Sequence, residues 1–190
     1  NLSQNQNELI LSMKEDFERL NRLVYEILEL TKLEANIGKS KFEKFEAQKL
    51  AEHISKKFSI QAKEKKINLQ IIDKSDKLKI NGSYDNMISA LENLVSNSIR
   101  FTPAGGEIIV KLSRCEGNLL IEISDTGIGI SPDNLKKIFD KFIQIDDSAP
   151  GSLGLGLSIA KEVIELHGGE IKAFSDLGKG CIFQIKLPEA

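Results

Sequence analysis

The 190-residue sequence lacks tryptophan and contains only two cysteines and two histidines. Two cysteines are too few for a disulfide framework, and the residues beside Cys115 and Cys181 offer no metal-ligand spacing. We therefore expect both to pack as small apolar residues in a reducing compartment. There is also no excess of charge of one sign. The formal net charge of −2 gives no general electrostatic argument for nucleic acid or an anionic membrane as a partner.

Long apolar runs are missing as well. No run approaches the ~20 residues of a membrane span, and no signal peptide opens the chain. These absences predict a soluble, cytoplasmic chain. Because the sequence begins inside a helical pattern, we expect it to be an excerpt of a longer protein whose other parts need not be soluble.

Residues 1–36 are predicted to form one long helix. Their apolar side chains recur at spacings of three and four: Leu9, Met13, Phe17, Leu20, Val24, Ile27 and Thr31. Gly38 stands just past the predicted end, where glycine commonly stops a helix. An apolar seam of this length needs a partner. A helical pair or bundle shared with another chain is favoured over packing on the rest of this chain.

From residue 38 onward, strand and helix patterns interleave. Helices are predicted at 46–66, 85–100, 132 to about 139 and 155–167, and strands at 67–72, 78–80, 107–113, 118–124, 170–175 and 179–187. Residues 39–45 form a linker able to become an edge strand. Several strands pair as hairpins. The predicted fold class is therefore α+β, a two-layer sandwich of a mixed sheet covered by helices and preceded by one long α-helix.

An acid and two glycines follow the apolar run 119–123, in the order Asp125-Thr126-Gly127-Ile128-Gly129-Ile130. Glycine has no Cβ and tolerates positive φ, so a ligand ring can lie against this main chain. A carboxylate at the mouth of such a loop can accept a hydrogen bond from an amino group, as adenine offers. The same pattern also occurs in ordinary turns, so the ligand hypothesis depends on what flanks the loop.

Three polar side chains interrupt the otherwise apolar helix predicted at 85–100. Asn93, Asn97 and Arg100 are spaced four and three apart, which places them on one helix face. Asparagine is a poor helix former, so two on one face indicate a function. An amide oxygen suits Mg²⁺, and arginine pairs with phosphate. The alternative is that these amides only satisfy neighbouring backbone groups.

A second glycine-rich stretch, Gly151-Ser152-Leu153-Gly154-Leu155-Gly156-Leu157, leads into the helix at 155–167. Its first backbone N–H groups can face an anion, with the helix dipole adding to the attraction. It is not a Walker A loop, because no Gly-Lys-Ser/Thr follows. Residues 143–153 are predicted to be a mobile loop. The aromatic residues of Ile138-Phe139-Asp140-Lys141-Phe142 either wedge the base of that loop or belong to the core.

Taken in order with Leu166-His167-Gly168-Gly169-Glu170-Ile171, these motifs resemble the catalytic, ATP-binding domain of two-component sensor histidine kinases. That domain belongs to the superfamily shared with gyrase-type topoisomerases, mismatch-repair ATPases and one class of heat-shock chaperone. The resemblance covers roughly residues 40–187. The helix ending Leu33-Glu34-Ala35 resembles the second helix of the family's dimerisation and histidine-phosphotransfer hairpin. It implies a partial hairpin at 1–37 and a catalytic domain with a Bergerat-type ATP-binding fold at 38–190.

The resemblance implies ATP and Mg²⁺ as cofactors and gives the site residues their roles. Asp125 would bond the adenine amino group. Asn97 would ligate Mg²⁺, Asn93 would support the metal and phosphate site, and Arg100, where the family usually has lysine, would neutralise phosphate charge. The remaining nucleotide-binding residues would be Phe101, Gly127, Gly129, Ile130, Lys141, Gly154, Leu155, Gly156 and Leu157. Residues 143–153 would be the ATP lid. The chemistry would be positioning and charge neutralisation of a transferring phosphoryl group.

The sequence departs from the family pattern at the phosphate acceptor. The family's His-Glu-Leu-Arg-Thr-Pro-like motif is absent. His53 has no acid beside it in the sequence and is expected to be a helix-surface or packing residue. His167 is expected at a helix C-terminus, where a cation is favoured. The chain by itself is therefore expected to be unable to phosphorylate itself by the family route.

The predicted lid departs as well. Gln144 stands where many relatives carry an arginine that reaches the γ-phosphate, and Ser152-Leu153 replaces the commoner Gly-Thr. Lys141 could substitute for that arginine, as a point charge without the fork of a guanidinium. These departures are expected to reduce catalytic turnover more than nucleotide binding.

The expected function is that of a protein-histidine kinase. It would transfer the ATP γ-phosphate to a histidine on a hairpin segment missing from this chain, for relay to a response-regulator aspartate. Expected partners are that hairpin, a receiver domain and a second copy in the full-length homodimer, with no nucleic acid; the chain could be the cytoplasmic part of a membrane-anchored sensor. The alternative is a nucleotide-binding regulatory module without phosphotransfer. A serine kinase would lack the hairpin helix, and a mechanochemical ATPase would need a transducer domain.

Overall fold

The computed structural model describes residues 41–143 and 154–190, and single residues between 6 and 31. The described residues of that first segment are all helical and exposed: Gln6, Leu9, Ile10, Ser12, Met13, Lys14, Asp16, Phe17, Leu20, Asn21, Val24, Leu28 and Thr31. They agree with the predicted long helix; the other residues of its seam, such as Ile27, lie outside the described part. Phe17 and Met13 expose 64% and 62% of their surface, so these two residues of the apolar stripe are not part of the core formed by the rest of the chain.

Eleven elements follow between residues 43 and 188 of the described chain. In order they are β1 (Glu43–Glu46), α1 (Gln48–Glu64), β2 (Asn68–Lys74), β3 (Lys79–Gly82), α2 (Tyr84–Phe101), β4 (Glu107–Cys115), β5 (Asn118–Asp125), α3 (Pro132–Leu135), α4 (Gly156–Leu166), β6 (Glu170–Ser175) and β7 (Cys181–Pro188). Helices and strands interleave as the sequence predicts, and most bounds agree within two residues.

The main sheet has five strands in the order β2-β4-β5-β7-β6. β2 and β4 are parallel, whereas the other neighbouring pairs are antiparallel, so the sheet is mixed. The linker at the start of the described chain forms β1, which pairs with β3 in a separate two-stranded sheet. The predicted α+β class and mixed sheet are confirmed, and so is the prediction that the linker can become an edge strand.

The core lies between one face of the main sheet and helices α1, α2 and α4. Strand residues alternate between the two sides, so that Ile108, Val110 and Leu112 of β4 are buried while the intervening residues are partly exposed. The apolar stripe of α1 is buried throughout: Leu50, Ala51, Ile54, Phe58 and Ala62. Helix α2 begins at Ser83, whose side chain accepts a hydrogen bond from the Asn86 N–H. Burial of the apolar face of α2 thus determines the direction in which its polar face points.

Two predictions are wrong. The helix that begins at Pro132 ends at Leu135 instead of about Phe139, because Lys137 N and Asp140 N bond the carbonyls three residues earlier and form tight turns. Cys115 is exposed, at the end of a β4 that runs two residues beyond the predicted strand; Cys181 is buried as expected. Among the described residues, no helix is long and apolar enough to cross a bilayer.

Candidate functional site

The carboxylate of Asp125 is held by donors from three parts of the fold. Its Oδ1 accepts from the N–H of Gly127 at 2.9 Å and from that of Cys181, at the start of β7, at 3.2 Å. Its Oδ2 accepts from Ser98 Oγ of α2 at 3.0 Å. Burial raises the pKa of Asp125 above its ordinary value, and these three donors oppose that rise. The side chain therefore has a fixed orientation at the end of β5.

The two glycines after Asp125 are required by contacts inside the protein. A Cβ at Gly127 would lie 2.8 Å from the Phe101 carbonyl oxygen, and one at Gly129, where φ is +71°, would lie 2.1 Å from the Asp176 oxygen. The sequence pattern predicts that these glycines let a ligand approach the main chain. The structure adds an internal cause: the loop lies against the end of α2 and against the β6–β7 turn. Ile130 N donates to Ser175 Oγ at 2.8 Å and fixes the far side of the loop.

The predicted polar face of α2 is formed. Asn93, Asn97 and Arg100 are each partly exposed, in contrast to the buried Leu94, Val95 and Ile99 of the same helix. The Cζ of Arg100 lies 5.3 Å from the ring centroid of Phe101, which itself is half-buried. The two amides are therefore accessible to a ligand, while the opposite face of their helix is packed in the core.

The second glycine stretch lies beside this face. Helix α4 begins at Gly156, where a Cβ would lie 3.3 Å from Asn93 Oδ1. Leu155 is buried at the N-cap and makes no side-chain capping bond, while Leu157 is half-buried against the core. A helix start without a side-chain cap keeps backbone N–H groups able to bind an anion.

The two ends of the predicted lid meet. Gly154 has φ of +70°, and a Cβ there would lie 2.3 Å from the Ile143 carbonyl oxygen. Residues 144–153, which include Gln144, Ser152 and Leu153, lie outside the described residues. Of the two phenylalanines before the lid, Phe139 packs against the core and Phe142 is 65% exposed, so only the first has the core role that the sequence left open. Lys141 Nζ lies 3.7 Å from Glu162 Oε2 of α4.

Direct contacts thus join most of the predicted residues through α2. Asp125 and Gly127 contact the C-terminal half of α2, whereas Gly156 contacts it one and a half turns earlier, at Asn93. Lys141 lies beside Glu162 of α4. Ser98, which is 1% exposed, is a site residue that the motifs do not indicate. A hydroxyl at a core position of an amphipathic helix was the clue, because such a group needs a buried partner.

Both histidines lie where the sequence predicts, but their surroundings differ from the expectation. His53 is on the helix surface as predicted, but an acid does lie beside it, because Glu92 Oε1 of α2 is 2.8 Å from its Nε2. His167 is 6% exposed at the C-cap of α4. Its Nε2 accepts from Ser83 N at 2.9 Å, and its Nδ1 lies 2.7 Å from the Val163 oxygen. Only a neutral ring can accept that bond, and burial lowers the pKa of His167, so it does not act as a cationic cap.

The candidate metal ligands at this site are the amides of α2. Within residues 41–143 and 154–190, no group of three or more His, Cys, Asp or Glu is placed to hold a metal ion. The amide oxygens of Asn93 and Asn97 are of the hard type that Mg²⁺ accepts, and Mg²⁺ commonly keeps waters and takes phosphate oxygens. The donor set therefore fits Mg²⁺ bound together with a phosphate ligand.

Comparison with protein families gives a match over residues 82–190, to the family described as histidine kinase-, DNA gyrase B- and HSP90-like ATPase. The chain is 35% identical to drug sensory protein A of Synechocystis sp., over 95% of this chain and 29% of that protein. It is also 35% identical to sensor protein SrrB of Staphylococcus aureus, over 96% of this chain and 32% of that protein. The chain thus spans about a third of the length of these curated relatives.

Solved structures resemble the whole chain. Full-length ShkA in complex with AMPPNP superposes with a TM-score of 0.82 at 26% identity, over 100% of this chain and 40% of that one. Histidine kinase ThkA in complex with response regulator protein TrrA superposes with a TM-score of 0.77 at 22% identity, over 100% of this chain and 53% of that one. The second likeness concerns the fold alone.

Proposed function

The chain belongs to the family of histidine kinase-, DNA gyrase B- and HSP90-like ATPases, and from that membership we propose that residues 38–190 are the ATP-binding catalytic domain of a sensor histidine kinase. Residues 1–37 would contribute one helix of the hairpin that dimerises and carries the phospho-acceptor histidine. The exposure of Leu9, Met13 and Phe17 supports this division, because an apolar helix face outside the core needs a partner.

The observation that carries the proposal is the fixed carboxylate of Asp125. Three donors hold it in one orientation, next to a glycine loop and half-exposed Phe101. A carboxylate so oriented accepts a hydrogen bond from the exocyclic amino group of adenine without further ordering. Guanine carries a carbonyl oxygen at the corresponding ring position, and a carboxylate would repel it, so the same group would select ATP over GTP.

The polar face of α2 would receive the phosphates. Asn97 would bind Mg²⁺ through its amide oxygen, with Asn93 beside it and Arg100 at the end of the helix. When bound, Mg²⁺ would neutralise phosphate charge and orient the phosphoryl group for in-line transfer. Gly154 and Gly156 would bring the backbone N–H groups of α4 to the phosphates, and Leu155 and Leu157 would anchor that helix start in the core. Lys141 would approach from the α4 side.

The γ-phosphoryl group would pass to a histidine on the hairpin, and from there to an aspartate of a response regulator. The chain's own residues would bind and orient the donor, since phosphoryl transfer needs positioning and charge stabilisation more than covalent chemistry. We place this reaction in the cytoplasm, with the full-length protein a homodimer. The structure of ThkA with TrrA, a histidine kinase with a response regulator, supports the choice of partner.

The alternative of a regulatory module without phosphotransfer is not favoured. Relatives matching 95% or more of this chain are named as sensory or sensor proteins, and the similar solved structure ThkA is named as a histidine kinase. A kinase domain and a regulatory module without phosphotransfer would share the adenine contact and the metal site. Only a measurement of phosphoryl transfer therefore distinguishes the two.

The test is a mixing experiment. This chain, labelled ATP and Mg²⁺ are combined with a separately prepared hairpin from its full-length protein, either with the hairpin histidine or with that histidine replaced by glutamine. Asp125→Asn of this chain serves as the nucleotide-free control. Label should appear on the hairpin only when the histidine and Asp125 are both present.

Each outcome is informative. Label on the glutamine variant would mean that the acceptor is a different residue. No label on either hairpin, with ATP binding measured by titration, would favour the regulatory module. No ATP binding at all would contradict the proposed domain function.

A further inference from the structure

The end of α2 draws its hydrogen-bond donors from several segments of the chain. The last four carbonyls of any helix lack partners within the helix and need donors from elsewhere. Ser98 O accepts from Thr102 N at 3.0 Å and from Thr102 Oγ1 at 2.6 Å. Phe101 O accepts from Ile128 N of the glycine loop at 3.3 Å. Two carbonyls, those of Ile99 and Arg100, remain to be accounted for.

Both are bonded to one ammonium group. Lys65 Nζ lies 2.6 Å from Ile99 O and 2.7 Å from Arg100 O. Lys65 comes from the C-cap of α1, more than thirty residues earlier in the chain. Burial lowers the pKa of Lys65. A cation at this position is favoured by the helix dipole, and its bonds are charge-assisted.

Backbone hydrogen bonds around Lys65 direct its side chain toward the end of α2. Helix α1 ends with the N–H of Lys65 on Gln61 O and the N–H of Ile67 on Ala62 O, around Lys66 at φ of +58°. The Lys66 carbonyl accepts from Gly105 N at 2.8 Å, which ties the loop after α2 to the same corner. The ends of α1 and α2 are therefore joined by backbone and side-chain bonds together.

We propose that Lys65 is a positioning residue for the nucleotide site. It holds the last turn of α2, which carries Arg100 and Phe101, in register with the loop at Gly127 and Ile128. The proposal rests on the proposed function, because it assigns these residues to ATP. The consequence is that a side chain outside the site sets the position of the last turn of α2 relative to the loop that follows Asp125.

The direct test replaces the ammonium by an apolar end of similar length, Lys65→Met. Two carbonyls lose their donor, so the last turn of α2 loosens. We expect the dissociation constant for Mg²⁺-ATP to rise about tenfold, the effect of losing a charge-assisted hydrogen bond. Amide exchange of Arg100, Phe101 and Ile128 should speed up more than that of core strand β5. Binding is measured well below the unfolding temperature of each folded variant.

Two further variants separate positioning from general stability. Lys65→Arg keeps a cationic donor and should restore binding to within about threefold of the wild type. Lys63→Met, at an exposed lysine in the last turn of α1, is the matched control and should leave binding unchanged. If Lys65→Met does not fold, Lys65→Gln keeps one donor group and is measured in its place.

The outcomes are distinct. A lower melting temperature with an unchanged ATP dissociation constant would make Lys65 a structural cap only and overturn the proposal. An unchanged dissociation constant and unchanged amide exchange would also overturn it. Failure of the wild type to bind ATP would instead contradict the proposed function, and the positioning role with it.

Discussion

Ser98 Oγ lies 3.0 Å from Asp125 Oδ2, so the helix that carries the two asparagines is bonded directly to the carboxylate at the end of β5. Two further bonds, from Gly127 N and Cys181 N, complete the environment of that carboxylate. The residue proposed to bind adenine is therefore bonded directly to the helix that carries the residues proposed to bind phosphate. A change at either end of the Ser98–Asp125 bond is expected to affect ligand binding before it affects folding.

Asp125→Asn should abolish ATP binding, with a rise in the dissociation constant of about a hundredfold or more, because an amide N–H₂ would face the adenine amino group and leave donors unpaired. Folding should survive, because the amide oxygen can still accept from Gly127 N and Cys181 N while its N–H₂ donates to Ser98. The measurement is ATP titration together with thermal unfolding. Asp73→Asn, at an exposed carboxylate of β2, is the control.

The same variant should show a defined pH dependence of stability. The pKa of Asp125 is raised in the folded state, so the folded wild type binds more protons and loses stability as pH rises through that folded pKa. Asp125→Asn lacks this loss, and its stability relative to the wild type should increase with pH over the same window. Retained ATP affinity in Asp125→Asn would mean that the adenine assignment is wrong.

Asn97→Ala should remove the Mg²⁺ dependence of nucleotide binding. Without the amide oxygen, the affinity for ATP in Mg²⁺ should fall to the value measured for the wild type in EDTA. The helix should not weaken, because alanine has a higher helix propensity than asparagine by roughly 0.5 kcal/mol. The neighbouring, exposed Ser96 provides the control Ser96→Ala. An unchanged Mg²⁺ dependence would move the metal to another residue, with Asn93 the next to be tested.

His167 should make the protein sensitive to mild acid. Its pKa is lowered in the folded state, so between the ordinary value near 6.5 and the folded value the unfolded chain binds more protons. Stability should therefore fall as pH decreases below about 6.5, by at most about 1.4 kcal/mol per pH unit, and at higher pH the titration of this group should cause no change of stability with pH.

Denaturant unfolding at a series of pH values tests the role of His167. His167→Gln should be less stable than the wild type at pH 7.5 by roughly 1–3 kcal/mol, because the N–H of Ser83 loses its acceptor, and its stability should depend less on acid. His53→Gln is the control, since that ring is about one-third exposed on the helix surface. Equal pH slopes for wild type and His167→Gln would exclude His167 as the origin of the acid sensitivity.

The sequence predicts local features of this fold well. The bounds of α1, α2 and α4 agree with the predicted ones within two residues, because apolar spacing, helix caps and glycine turns are determined by neighbouring residues. The order of motifs likewise predicted the family, because it needs no three-dimensional information. What it did not predict is which residues far apart in the chain come into contact.

The unpredicted contacts decide the chemistry of individual groups. Ser98 and Cys181 reach Asp125 from 27 and 56 residues away, and Glu92 reaches His53 from 39 residues away. Burial between helix and strand makes His167 neutral, where its position at a helix end alone favours a cation. Such partners follow from strand register and helix packing, and a sequence pattern does not specify either. The sequence also does not show whether a glycine serves a ligand or internal packing. At Gly129 a Cβ would collide with the Asp176 backbone, so internal packing alone requires glycine there.

Deletion of residues 1–37 should leave a folded monomeric catalytic domain. Its buried core is formed by residues from Phe45 to Leu187, whereas Leu9, Met13 and Phe17 expose half or more of their surface. Loss of exposed side chains should change the free energy of unfolding by less than about 0.5 kcal/mol. ATP affinity should also be retained, because none of the proposed site residues lies before residue 93. Thermal unfolding and light scattering of both chains measure these quantities, with the undeleted chain as reference.

If the deleted chain no longer unfolds cooperatively, the helix belongs to the core of this domain, and the boundary at residue 38 is wrong.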